Sequence, residues 1–285
     1  MVERTTVGTM APPSLRRDCI VCCDDLAGLD AILRDDVLAV IATPPPPLWL
    51  PALAAAVEAG EISLPRTQLD DCTRAALADW LTRNLPPLPV LAPLHEELLS
   101  LVDLLAGLTG ARRFMVRLLA AAPNTECGFH VDTVPPGAPS FGLVRVYNGP
   151  GTLYPDPSDV TGYADFYRYL SRRERLGRER SEARAAADIA TAAAAEAEIR
   201  GLDAQALFLR NPQALRSTPP AAVVAFKHLD ASEHWSERSS RSAWIHCSPM
   251  QGPPRLLVNI TAVDRGLRRL RLPGASAPPP PDRAT

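Results

Sequence analysis

Long apolar runs are absent from this chain. No stretch of roughly 18 residues is continuously hydrophobic, so no ordinary membrane-spanning helix is expected. The first 17 residues lack an apolar h-region and do not read as a secretory leader. Charge of one sign is lacking too: 30 basic residues stand against 32 acidic ones, a formal net charge of -2. Such a balance gives no electrostatic footprint for nucleic acid or for an anionic membrane. Cysteine is scarce, with six residues at positions 19, 22, 23, 72, 127 and 247, too few for a disulfide scaffold in 285 residues. The expectation is a cytoplasmic protein with reduced thiols. Lysine is almost missing. Lys227 is the sole one, arginine supplies the rest, and with the abundant Ala and Pro this reads as the composition of a GC-rich bacterial genome.

What remains is ordinary for a globular chain: 46% of residues are hydrophobic, and the length suits one large domain or two small ones. Residues 1–17 and 274–285 read as tails, the second because the run Pro278 to Pro281 cannot make ladder bonds. Residues 18–273 read as a single domain. Its first part, 18–110, is mainly helical. It has a helix start at Leu26 to Leu33, a short apolar strand Val37 to Ile41, and packing helices at Leu50 to Ala59, Thr73 to Arg83 and Leu94 to Leu108. His95 falls on the last of these and reads as structural.

After Gly110 the pattern turns to short strands: Arg113 to Ala121, Gly128 to Thr133, Phe141 to Tyr147, Ala221 to Phe226, Ser242 to His246 and Arg255 to Val263. Turn signals such as Pro135-Pro136-Gly137 and Asn148-Gly-Pro-Gly151 separate them. Helices followed by regularly punctuated strands predict an α+β fold, a jelly-roll barrel over 111–265 with a helical layer on one face. An insertion, 163–216, interrupts the strands. Its centre is almost only Arg, Glu and Ala, with pairs such as Glu174 and Arg178 four apart that support an exposed helix. It is either a solvated projection or a lid or homodimer arm beside the site.

One constellation carries chemistry. His130 and Asp132 are two apart on an expected strand and so share a face. His246 follows about 110 residues later, and Arg255 nine residues after that. Two imidazoles and one carboxylate on one side of a metal leave its other positions open, the pattern of non-haem iron. Arg255 opens an apolar strand on which Leu257 and Asn259 share its face, so Asn259 is a second pocket candidate. The Arg255 guanidinium has the fork geometry to take the distal carboxylate of 2-oxoglutarate, and Thr152 and Tyr147 are candidate hydroxyl donors to it. Cys127 and Cys247 flank the ligands. They are either small buried residues or members of a His/Cys zinc site. Cys19-x-x-Cys22-Cys23 has no second pair at metal spacing and reads as incidental. His228 and His234, with Glu233 and Trp235, read as a polar loop with substrate-contact candidates.

At these residues the chain resembles a bacterial family known as domain of unknown function 1826. The likeness rests on Phe129-His-Val-Asp-Thr-Val134, Tyr147-Asn-Gly-Pro-Gly-Thr152, Val223-Val-Ala-Phe-Lys227 and Ile245-His-Cys-Ser-Pro249. It covers about half the chain, roughly 110–265. The insertion departs from the family pattern, as does Cys247, where a basic residue is expected; Lys227 falls at a matching position. The His-x-Asp, distant His and trailing Arg separately resemble the superfamily of iron and 2-oxoglutarate oxygenases, which implies a double-stranded β-helix, cupin-like fold. The functional expectation is an Fe(II)- and 2-oxoglutarate-dependent oxygenase. His130, Asp132 and His246 would be the ligands, with O2 and a small molecule as substrates. The alternatives are a non-catalytic zinc or iron homeostasis protein of the same fold, and an iron oxygenase whose substrate itself chelates the metal.

Overall fold

The structure, a computed structural model, describes residues 19–232 and 242–264. The two expected tails, 1–17 and 274–285, and Glu233, His234 and Trp235 lie outside the described residues. In chain order the elements are β1 (Ile20–Cys23), β2 (Ala39–Ala42), α1 (Leu50–Glu58), β3 (Leu64–Cys72), α2 (Arg74–Asn84) and α3 (Leu91–Thr109). Then come β4 (Phe114–Ala121), β5 (Thr133–Val134), β6 (Phe141–Val146), β7 (Leu153–Tyr154), α4 (Tyr163–Ala185) and α5 (Ile189–Gln205). The chain ends its described part with β8 (Arg216–Ser217), β9 (Val223–Lys227), β10 (Leu229–Asp230) and β11 (Arg255–Ala262). A short 3-10 helix, Ala27–Leu33, stands where a helix start was expected.

Seven strands form one mixed sheet in the order β1-β2-β9-β6-β11-β4-β3, in which only β1 and β2 run parallel. Alternation decides what each strand offers to either face. On β4, Phe114, Val116, Leu118 and Ala120 are buried toward one side; on β11, Leu256, Val258, Ile260 and Ala262 point the same way. The three N-terminal helices cover that side. The stripe Leu91, Leu94, Leu98, Leu101, Val102 and Leu105 fixes the face of α3, which stops at Gly110 in a left-handed conformation at φ 74°. Each such buried leucine contributes roughly 1.5–3 kcal/mol, so this interface is the main core.

The opposite side of the sheet carries a second layer built from very short pairings. β5 pairs with β10, His130 bridges to His246, Leu153 bridges to Cys247, and β7 pairs with β8. Tyr154 and Trp244 of this layer pack onto Val144, Val224 and Phe226 of the sheet. The expected strands Gly128 to Thr133 and Ser242 to His246 are therefore single bridges and two-residue ladders. The fold is mixed α+β. Among the described residues no pairing joins β1 to β3, so the large sheet stays open and is not a closed barrel.

Two further differences have simple causes. The 18–110 region contributes three strands as well as helices. β3 escapes a hydrophobic-period reading because it is an edge strand with polar, exposed positions and two register shifts against β4. The insertion is an antiparallel hairpin of α4 and α5, not one projecting helix. Its base packs Tyr163, Phe166, Tyr169 and Phe208 around Phe129, one residue before His130. No helix of the described residues is long and apolar enough to cross a membrane.

Candidate metal centre

His130, Asp132 and His246 converge: one ligand atom from each lies within 4.8 Å of the others. Two cross-strand bonds bring the histidines together. The His130 amide donates to the His246 carbonyl at 2.9 Å, and the His246 amide to the His130 carbonyl at 3.0 Å. Their rings stand side by side with centroids 4.3 Å apart. Both Nδ1 atoms are engaged by local carbonyls, Gly128 at 2.7 Å for His130 and Trp244 at 3.0 Å for His246. A carbonyl only accepts, so each Nδ1 carries the proton and each Nε2 keeps its lone pair for a metal. The His246 ring is further held by stacking on Trp244 at 4.7 Å and by the Phe226 edge.

Asp132 is buried and heavily supported. Its Oδ1 lies 3.5 Å from His130 Nε2 and 3.8 Å from an Arg117 nitrogen. Asn259 Nδ2 donates to its Oδ2 at 2.9 Å. Burial works against its charge, but the adjacent His130, with the His246 and His228 rings, holds its carboxyl well below the usual range. Burial pushes His246 down to about 3, with the neighbouring His130 adding to the effect. At neutral pH Asp132 is thus a carboxylate and His246 a neutral imidazole, both ready to coordinate. The donor set is two nitrogens and one oxygen on one side, with space beyond, which fits non-haem iron. Neither cysteine joins it. Cys247 faces the hairpin side and burial raises its thiol to about 12, whereas Cys127 sits beside Arg66.

Arg255 occupies the same cavity, a space of about 90 Å³ that also touches Arg117, His130, Asp132, Thr152 and His246. Its guanidinium is buried, yet it donates only to neutral acceptors, the Pro150 carbonyl at 3.1 Å and Ser248 Oγ at 2.8 Å. Among the described residues it has no carboxylate partner. Asn148 explains how it is held. The Asn148 side chain donates to the Pro254 carbonyl and accepts from the Leu256 amide, bracketing Arg255 on the chain. Gly151 lies so near Thr218 that a Cβ there would meet its carbonyl oxygen at 2.2 Å. The Asn148-Gly-Pro-Gly151 turn is therefore a cradle for the start of β11.

Asn259 and Thr152 reach the cavity as expected, and Tyr147 does not. On β6 and just after it, Leu143, Arg145 and Tyr147 share the face turned to the helices. There Arg145 pairs with Glu97 at 3.0 Å and lies over the Tyr147 ring. Alternation alone removes Tyr147 from the co-substrate side. His228 is also displaced from its expected polar loop. It is fully buried, its Nε2 is 4.0 Å from Asp132 Oδ2, and Gly142 is open because a Cβ there would meet the His228 ring at 2.6 Å. The signal was legible in principle, since Val224, Phe226 and His228 alternate on one face. Lys227 points the other way and donates to the Arg34 carbonyl at 2.6 Å. Arg117 and Arg66, which line the cavity as well, were not singled out by spacing.

A second, wider space of about 660 Å³ opens from His130, Asp132 and Cys127 toward Arg173 and Glu174 of α4. The hairpin is thus one wall of the approach to the triad. Comparison with known proteins supplies one match. The family model described as "Protein of unknown function (DUF1826)" covers residues 23–260, well over half of the chain, and the chain belongs to that family. No curated protein and no solved structure matches it.

Proposed function

We propose that this member of the DUF1826 family is an Fe(II)- and 2-oxoglutarate-dependent oxygenase that oxidises an unactivated C–H bond of a small molecule. The observation that carries the reading is Arg255: a buried guanidinium with no acidic partner among the described residues, in one cavity with a two-histidine, one-carboxylate triad. A buried cation left without a counter-charge is costly, so a carboxylate-bearing ligand is the natural complement. A finer fold reading accompanies it. Along the chain, β4 lies in the large sheet, 130–134 in the second layer, β6 in the sheet, β7 and β8 in the layer, β9 in the sheet, 246–247 in the layer and β11 in the sheet. That winding between two layers supports a double-stranded β-helix, flattened by its short second layer.

His130, Asp132 and His246 would hold the iron, and when bound it supplies the activation of O2 that no side chain can provide. Asn259 fixes Asp132 through Oδ2 and leaves Oδ1 toward the histidines. Arg255 orients the distal carboxylate of 2-oxoglutarate, with the Thr152 and Ser248 hydroxyls on the same wall. Leu119, Val144 and Leu257 make the rest of that wall apolar, which keeps water from the reacting atoms. The base of the hairpin packs beside His130, which favours a lid over a dimer arm.

The test is anaerobic titration of the full-length protein with Fe(II) and then 2-oxoglutarate. One equivalent of each, with a weak visible charge-transfer band appearing only when both are present, is the expected result. Tightly held zinc with no heat of 2-oxoglutarate binding would overturn the proposal in favour of a metal homeostasis role.

A further inference from the structure

We infer that the substrate of this site carries an acidic oxyanion group, a carboxylate or a phosphate, which docks on Arg66 and Arg117 at the mouth of the cavity. This rests on the proposed co-substrate chemistry for its place in the reaction, but its physical basis is a charge count. Among the described residues, three arginines, Arg66, Arg117 and Arg255, line the inner cavity, and Asp132 is the one acidic residue there. A divalent metal adds two positive charges, and a 2-oxoglutarate dianion removes two. Two uncompensated positive charges then remain, and with Arg255 engaged inside they belong to Arg66 and Arg117.

Their positions suit an incoming ligand. Both residues line the inner cavity and the wide cleft alike, so they stand at the junction between the two. Arg66 lies at the bulge between Leu64 and Thr67 on the edge strand β3, and Arg117 on β4 beside it. Arg117 is steered by Gln68 Oε1 at 2.8 Å and by Met115 Sδ, both neutral. Its one acidic neighbour, Asp132 at 3.8 Å, is committed to the metal. Arg66 reaches Cys127 Sγ at 3.7 Å and forms no ion pair with a carboxylate among the described residues. The cleft arginines on the hairpin differ: Arg173, Arg178 and Arg180 are already paired with Asp203, Glu174 and Glu196. Two guanidiniums that line one junction suit a planar or tetrahedral oxyanion.

Cys127 provides a local reporter, because an anion on Arg66 covers its thiol. Alkylation of full-length, metal-free protein by iodoacetamide is followed at the Cys127 peptide by mass spectrometry, with inorganic phosphate in one arm and acetate in the other. Each variant is normalised to its own ligand-free rate. We expect one of the anions to slow alkylation about threefold at twice its dissociation constant. That protection disappears in Arg66→Gln/Arg117→Gln and persists in Arg255→Gln. The protecting anion names the substrate's acidic group. Arg66 is exposed, so Arg66→Gln alone carries the test if the double variant does not fold. Protection by neither anion, or protection that survives Arg66→Gln, overturns the inference. Protection lost in Arg255→Gln overturns it too, since the anion would then sit on the inner anchor. None of these outcomes depends on iron or 2-oxoglutarate binding, whose failure is read separately by titration.

Discussion

His130 and His246 hold each other through their backbones, exchanging both amide-to-carbonyl bonds at 2.9 and 3.0 Å while their rings lie 4.3 Å apart. Each side chain can therefore be removed without removing the bridge that positions the other. The two rings differ in burial: His130 is about one-third exposed and His246 lies stacked on Trp244. His130→Ala is expected to abolish stoichiometric metal with little change in thermal stability. His246→Ala is expected to abolish metal and also to cost about 1–3 kcal/mol through the cavity left under Trp244. Metal analysis beside urea denaturation separates the two. Equal stoichiometric metal in either variant would remove that histidine from the site.

Asn259 acts on the metal only through Asp132, to whose Oδ2 it donates at 2.9 Å. Supporting partners of this kind are typically worth 10–100-fold in metal affinity. Asn259→Ala should weaken Fe(II) or Ni(II) binding by about that factor while leaving one site per chain. Asn259→Asp should be worse, because it places a second carboxylate against Asp132. An unchanged dissociation constant in Asn259→Ala would show that Asp132 needs no such support.

Arg255 separates co-substrate binding from metal binding. Replacing it by Gln removes a charge-assisted pair of roughly 2–5 kcal/mol, so 2-oxoglutarate affinity should fall at least about thirtyfold with metal content unchanged. Lysine should rescue little, since it cannot reproduce the fork. Asn148→Ala should weaken 2-oxoglutarate less, because it frees only the backbone on either side of Arg255. Calorimetry on metal-loaded protein reads all three. Full affinity in Arg255→Gln would show that Arg255 is not the anchor of the distal carboxylate.

How far the sequence foretold this site follows from the length scale of each signal. The spacing of His130 and Asp132, and the shared face of Arg255, Leu257 and Asn259, are two-residue relationships that alternation fixes locally. The helix stripes of α1, α2 and α3 were legible for the same reason, as 3.6-residue periods. Tyr147 adjoins the Asn148-Gly-Pro-Gly151 turn, yet its register with Leu143 and Arg145 turns it toward the helices. His228 was misread because the polar residues after it masked its alternation with Val224 and Phe226. The second layer's pairings are too short to show a period, and β3, an edge strand with polar, exposed positions, has no apolar alternation to show one. The nearness of Arg66 to Cys127 is a contact 61 residues apart, which no local pattern encodes.

Stability should depend on pH through two buried histidines. Burial pushes His246 down to about 3 and His228 down to about 4. In the unfolded chain a histidine titrates near about 6.5. Between those values the unfolded chain binds more protons than the folded one, so stability rises with pH. The contribution is complete above about pH 6.5 and is lost as pH falls toward the folded values. Metal-free protein should therefore lose a few kcal/mol, to order of magnitude, between about pH 7 and pH 4. His228→Gln should flatten part of that slope. Urea midpoints that stay constant over the range in the parent protein would contradict the assignment of neutral, buried rings.

The hairpin's hold on the site can be tested at Arg173. This residue pairs with the buried Asp203, which also receives the Tyr169 hydroxyl, and donates to the Thr125 and Glu126 carbonyls. The Tyr169 oxygen in turn accepts from the Phe129 amide at 2.9 Å, so the network ends one residue from His130. Arg173→Ala leaves the buried Asp203 carboxylate without its counter-ion and should cost about 3–5 kcal/mol. Arg173→Met with Asp203→Leu removes both charges and should recover most of that loss, because a packed apolar pair does not pay the desolvation of two ions. The two variants then part company at the metal. Stability returns in the double variant, but Thr125 and Glu126 remain untied, so Fe(II) affinity should stay below that of the parent protein. Equal affinity in the parent and the double variant would show that the hairpin holds the fold without holding the ligand-bearing segment.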